Sequence, residues 1–153
     1  MDSQDAKQNY RPVCVCTNLR RATRAISNMY DLALASSGLK ITQFSLLRAV
    51  QRNEPVAITA LADEMALDRT TLARNLAPLQ RDRLVELKPG SDQRVTEVRL
   101  TRAGREAIAA ALPLWKKTQV DIGRLLSDGR IEQLREIAAE VSAAAESFAS
   151  KRR

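Results

Sequence analysis

The 153-residue chain has no histidine, two cysteines, five glycines, one tryptophan, two tyrosines and two phenylalanines. Each scarcity removes a class of function. Without histidine no Ser-His or Cys-His pair can form. A tetrahedral zinc site within one chain would have to be built largely from carboxylates, so no metal and no cofactor are expected. Cys14 and Cys16 stand two positions apart, a spacing that does not readily close an internal disulfide. No glycine-rich loop of the phosphate-cradling kind is present. Neighbouring carboxylates such as Asp63 and Glu64 point apart on a helix and read as a solvated face. An enzyme is therefore a poor reading. No apolar run approaches the roughly 18 residues of a membrane span. The first residues do not have the form of a signal peptide, so a cytoplasmic protein with no membrane partner is expected.

What is present is helical patterning on a basic chain. Apolar residues make up 44% and charged residues 28%, which suits a globular protein with a Leu, Ala, Val and Ile core. The net charge of +7 suits a polyanionic partner. From 13 to 33, Val15, Leu19, Ala22, Ile26, Met29 and Ala33 step by four and three, one stripe of a long helix. Gly38 can end it in the left-handed conformation. Phe44, Leu47 and Val50 mark a second helix that stops before Pro55. Residues 56 to 58 are too short to be more than a strand fragment.

The next stretch, "ITALADEMALDRTTLARNLAPLQRDRLV", holds two short helices and a tight turn. Thr59 is expected to cap the first, which carries Leu61, Ala62 and Met65. Asp68 is expected to cap the second, with Leu72, Leu76 and Leu79 as its buried stripe. That is helix-turn-helix spacing. "LKPGSDQRVTEVRL" follows, two alternating runs around a polar loop, which reads as a hairpin with Val85, Leu87, Val98 and Leu100 inward. Thr101 is expected to cap a helix through Ile108, Leu112 and Trp115, kinked at Pro113. A break at 127 to 129 precedes a last helix with Ile131, Leu134, Ala138, Val141, Ala145 and Phe148 in heptad-like spacing.

The expected fold is mainly α with a small β-hairpin wing: a winged helix-turn-helix between long terminal helices. One domain is expected over 1–153. Within it, 41–101 would bind DNA, and 11–38 and 102–150 would dimerise. The second helix of such a motif enters the DNA major groove. Its outer face opens with Arg69, Thr70, Thr71, Arg74 and Asn75. Arg forks onto guanine, Asn bonds adenine, and Thr touches phosphate or a thymine methyl. The hairpin can set Arg94 against the minor groove, with Asp92 holding its guanidinium. Residues 41 to 100 carry nine Lys or Arg against eight Asp or Glu. Binding must rest on where the charges stand, with Asp63, Glu64 and Glu86 turned away from DNA.

In its "LADEMALDRTTLARNLAPLQRDRLV", its wing "SDQR" and its "RLTRAGR", the chain resembles the MarR (multiple-antibiotic-resistance regulator) family from about 13 to 148. The resemblance implies a homodimer, built from the first and last helices, that represses until a small ligand or oxidation relieves it. Three positions depart from the family pattern. Arg83 replaces a glycine before "LV", Pro78 lies inside the recognition helix, and Lys40 stands where a capping Thr is usual. The leading signal is an aromatic or acyl anion among Tyr30, Phe44 and Trp115, with Arg20 or Arg24 at its charged end. The alternative is a thiol. Cys16, in "CTNLRRATRAISNMY", resembles the reactive cysteine of the organic-hydroperoxide-sensing branch, with Arg20 available to favour its thiolate. A plainer reading makes Cys14 and Cys16 small apolar residues of a dimer seam. A winged helix used only for protein contact is the remaining alternative.

Overall fold

The computed structural model describes residues 14–126 and 129–151; the first ten residues, read as a polar lead, and two of the three at the 127–129 break lie outside them. Among the described residues six α-helices and three strands follow one another: α1 (Val15–Leu34), α2 (Ile41–Asn53), β1 (Val56–Ala57), α3 (Ile58–Glu64), α4 (Arg69–Arg81), β2 (Val85–Pro89), β3 (Thr96–Leu100), α5 (Arg102–Leu126) and α6 (Arg130–Ser150). The chain is mainly helical with one small antiparallel sheet in the order β1-β3-β2. The described residues form two compact units, one up to Leu112 and one from Pro113.

The first unit holds the winged helix. The apolar stripes of α2 and α4 are buried, as are Leu34, Leu46, Leu61, Val98 and Ile108. In the hairpin Val85 faces Leu100 and Leu87 faces Val98, so the inward set is the one the alternation predicts. The fragment at Val56–Ala57 becomes a third strand because Val56 pairs with Val98. Its partner lies too far along the chain for local pattern to reveal. In the second unit Thr118 is buried and its hydroxyl donates to the Leu114 carbonyl at 2.9 Å. Gly129, at φ +84°, precedes α6, none of whose residues is buried.

Helix ends decide several of the expected details. Gly38 takes φ +75° and closes the turn Ala35–Ser37 after α1. Lys40 does precede α2, and no side chain of its own caps the helix; instead the Asp31 carboxylate of α1 accepts the Ile41 N–H at 2.7 Å. Gln43 Oε1 accepts the Lys40 N–H at 2.9 Å. Thr59 does not cap α3, which starts one residue earlier at Ile58 after Ala57. Neither Pro78 nor Pro113 ends its helix. Arg83 adopts φ +57°, so the left-handed position usually given to glycine is here held by a residue with a Cβ. Ala66 does the same at φ +50° in the turn before α4.

A candidate nucleic-acid interface

The helix-turn-helix is set by the corner between α3 and α4. The Leu67 N–H donates to the Ala62 carbonyl at 2.9 Å, which folds the chain back over five residues. Asp68 then caps α4 twice. Its Oδ1 accepts the Thr71 N–H at 2.8 Å and its Oδ2 accepts the Thr71 hydroxyl at 2.7 Å. These hydrogen bonds from Thr71 hold the Asp68 carboxyl below its ordinary pKa. Thr71 is therefore first a capping partner; its hydroxyl proton is committed to Asp68, and only the oxygen is left to meet another donor.

With Leu72, Leu76 and Leu79 buried, the helical period turns Thr70 and Arg74 directly outward, with Asn75 to one side. Arg69, Thr70, Arg74 and Asn75 are all exposed. Among the described residues no acid pairs with the guanidinium of Arg69 or Arg74. Ala73 and Ala77, also exposed, keep that face low between the longer side chains. Sequence reading passed over these two alanines, although small residues on a groove-facing helix let its axis approach the bases. It also passed over Arg81, one turn past Ala77 on the same side, which pairs with Asp82 at 3.2 Å.

The wing is built from its root. The Thr101 hydroxyl donates to the Arg83 carbonyl at 2.6 Å and accepts the Gly104 N–H at 3.0 Å, so it caps α5 as expected and ties the hairpin to it. The Thr101 N–H donates to the Leu84 carbonyl at 3.1 Å. A Cβ on Gly104 would lie 2.0 Å from that Leu84 oxygen, which is why the position takes glycine. At the tip, Asp92 does not hold the guanidinium of Arg94. Its Oδ1 accepts the Arg94 backbone N–H at 3.0 Å, and its carbonyl accepts the Val95 N–H at 2.9 Å. A short polar side chain bonding two residues ahead shapes the turn itself. The Arg94 side chain is exposed and, among the described residues, unpaired.

The glutamates near this surface are engaged by other side chains. Glu64 binds Arg52 at 2.6 Å and Asn53 at 2.6 Å. Glu86 pairs with Lys88 at 2.8 Å, and Glu97 with Arg99 at 3.1 Å, on the outer face of the wing. Glu54 binds Arg105 and accepts the Leu100 N–H at 2.9 Å. Burial pushes the Glu54 carboxyl up, but the bonds from Arg105 and Leu100 and the charges of Arg105 and Arg99 outweigh it and leave it below its ordinary pKa. Charge placement, rather than net charge, leaves Arg69, Arg74 and Arg94 open.

The expected effector residues are less gathered. Tyr30 and Phe44 are buried in the first unit, Trp115 is half-buried in the second, and Arg20 and Arg24 are exposed on α1. Arg20 lies ten residues before Tyr30, roughly 15 Å along a helix axis. Arg24 is nearer, at roughly 9 Å. Both cysteines are exposed. Hydrogen bonds from the Thr17 backbone and side chain, and then from the Cys16 backbone, hold the Cys14 thiol below its ordinary pKa.

A family model described as the MarR family matches residues 37–94. Among curated proteins none matches the sequence. The M. tuberculosis transcriptional regulator MosR, solved in complex with DNA, is 37% identical; the match covers 88% of this chain and 98% of that one, with a TM-score of 0.81. A second MosR structure is 36% identical over 88% and 97% of the two chains, with a TM-score of 0.76. BpsR of Bordetella bronchiseptica, whose DNA binding is regulated by 6-hydroxynicotinic acid, is 19% identical over 87% and 96%, with a TM-score of 0.76, a likeness of fold alone. No helix among the described residues is long and apolar enough to cross a membrane.

Proposed function

Since this chain belongs to the MarR family of DNA-binding transcription regulators, we propose that it acts as a homodimeric repressor, released from a pseudo-palindromic operator by a small aromatic or acyl acid. The observation that carries the DNA-contact assignment is the set of open guanidinium groups. Arg69 and Arg74 stand on the outer face of α4 and Arg94 at the wing tip, while Glu64, Glu86 and Glu97 are paired with other cations. α4 would read bases through Arg74 and Asn75. Arg69, Thr70 and the wing Arg94 would hold the backbone or the minor groove. A face used for protein contact alone would carry apolar anchors, and this one carries none.

The dimer reading is supported by two uncovered stripes. Val15, Leu19 and Ile26 on α1 are exposed, and so are Leu134, Val141 and Phe148 on α6. A second copy would cover them and set the two α4 helices about one helical turn of DNA apart. For the effector, Tyr30 at the edge of the core with Arg24 nearby supports an acid entering beside α1.

The test titrates the purified protein against DNA from upstream of its own gene and against mixed-sequence DNA, then adds aromatic and acyl acids. Preference for the first duplex, light scattering of a dimer and release by an acid are expected. A monomer that binds tightly, or no acid that releases DNA, would overturn the corresponding part. Cys14→Ser and Cys16→Ser are expected to leave the response to acid unchanged. If mild peroxide released wild type but neither variant, the signal would belong to the thiols.

A further inference from the structure

One concavity adjoins the recognition helix from the side that the helix-turn-helix reading leaves out. It has a volume of about 280 Å³ and is lined by Lys40, Thr42 and Gln43 from the start of α2 and by Arg74, Asn75 and Pro78 of α4. Two of the six residues are cations and none is an acid. Gln43 Oε1 accepts the Lys40 N–H, which fixes the side chain and leaves its amide N–H groups as the free donors. The Arg74 guanidinium has no partner among the described residues, and Lys40 and Thr42 are exposed. The lining is thus rich in donors without a carboxylate to neutralise them.

Lys40 itself is out of place by the rules of helix stability. The position before a helix favours Ser, Thr, Asp or Asn, and a cation there opposes the helix dipole. The fold compensates by borrowing Asp31 from α1 to cap Ile41. A residue that breaks a local rule, and is compensated from elsewhere, points to a role outside stability.

We propose that this concavity seats a phosphate of the DNA backbone. Lys40, Thr42 and Gln43 clamp the strand that borders the major groove while Arg74 and Asn75 face the bases. The inference rests on α4 being the groove helix. It adds a contact from α2, which precedes the helix-turn-helix, and it gives Lys40 a function. Such a contact carries no sequence information; it fixes the register in which Arg74 and Asn75 meet the bases.

The test is the salt dependence of DNA binding by the full chain. Lys40→Ala, Lys40→Ala with Thr42→Val, and Lys40→Arg are compared with wild type on upstream and mixed-sequence duplexes. Each lost phosphate contact is expected to lower the log–log salt slope by about one. Both duplexes should weaken alike, and Lys40→Arg should restore the slope. The Lys40 side chain is exposed and its backbone bond to Gln43 survives substitution, so an unchanged thermal midpoint is expected. Arg94→Ala runs alongside. If it flattens the slope and Lys40→Ala does not, the phosphate seat is wrong while the wing reading stands. If neither alters binding, the wing reading fails with it. Inorganic phosphate is titrated separately while the Gln43 amide is followed by NMR. Phosphate binding that Lys40→Ala abolishes, with the DNA slope unmoved, would make this a free-anion site and overturn the proposal.

Discussion

The winged region and the terminal helices carry the same kind of apolar stripe and treat it in opposite ways. In α2 and α4 the stripe residues Phe44, Leu47, Val50, Leu72, Leu76 and Leu79 are no more than 2% exposed. In α1 and α6 the residues Val15, Leu19, Ile26, Leu134, Val141 and Phe148 are 37–66% exposed. Spacing of three and four marks a face that needs covering. It does not say whether the cover comes from the same chain. One region completes its own core; the other presents a surface that, on the reading above, a second copy completes.

The largest expected effect breaks that contrast from the outside. Leu19→Glu with Val141→Glu places charge on both uncovered stripes. Light scattering should show a monomer, and the gain from engaging two half-sites together, about 10²- to 10⁴-fold in affinity, should disappear. The variant should still fold, since neither residue belongs to the core. A dimer that survives both changes would mean that these stripes face something else.

Leu72→Ala breaks the contrast from the inside. Emptying a fully buried leucine should cost about 2–5 kcal/mol, read as a lower urea midpoint. Next in size, Arg74→Ala should reduce discrimination between operator and mixed-sequence DNA by about 1–3 kcal/mol, whereas Arg94→Ala should weaken both. Equal effects of the two changes on both duplexes would remove the case for base reading by Arg74. Arg83→Gly relieves a left-handed residue carrying a Cβ and should raise stability by about 1 kcal/mol, checked by thermal unfolding. The smallest effect concerns pH. The Glu54 carboxyl is held below its ordinary value in the fold. Its contribution is therefore present above the unfolded pKa and is lost as pH falls through the folded one. Glu54→Gln should flatten the acid limb of stability against pH; an unchanged limb would place acid sensitivity elsewhere.

Most of the winged region is legible in the chain because its signals are local. Asp68 caps α4, the hairpin alternates in the observed register, and Thr101 starts α5, each within a few residues of its partners. What escaped the reading depends on residues brought together by folding. β1 becomes a strand only beside β3. Asp31 caps α2 from another helix. The concavity joins Lys40 to Arg74 from separate helices. Asp92 is a case of choice between near partners: an arginine two residues on offers both a guanidinium and a backbone N–H, and only the turn geometry selects the second. Helical rise separates Arg20 from Tyr30 by roughly 15 Å even though both lie on α1 in a short run of sequence.

The joint at Gly104 has a mechanical meaning. Each wing strand is five residues long, about 17 Å of extended chain, and Arg94 rides at the far end. The hairpin is a lever whose pivot is the contact between Gly104 and the Leu84 carbonyl, locked by Thr101. A tilt of roughly 3° at the pivot carries the tip by about 1 Å over that length, a large fraction of the slack in a hydrogen bond. The direction of Arg94 is therefore set by a glycine at the root of the hairpin. Gly104→Ala, by pushing Leu84 aside, should misdirect Arg94 while leaving the exposed side chains of α4 in place.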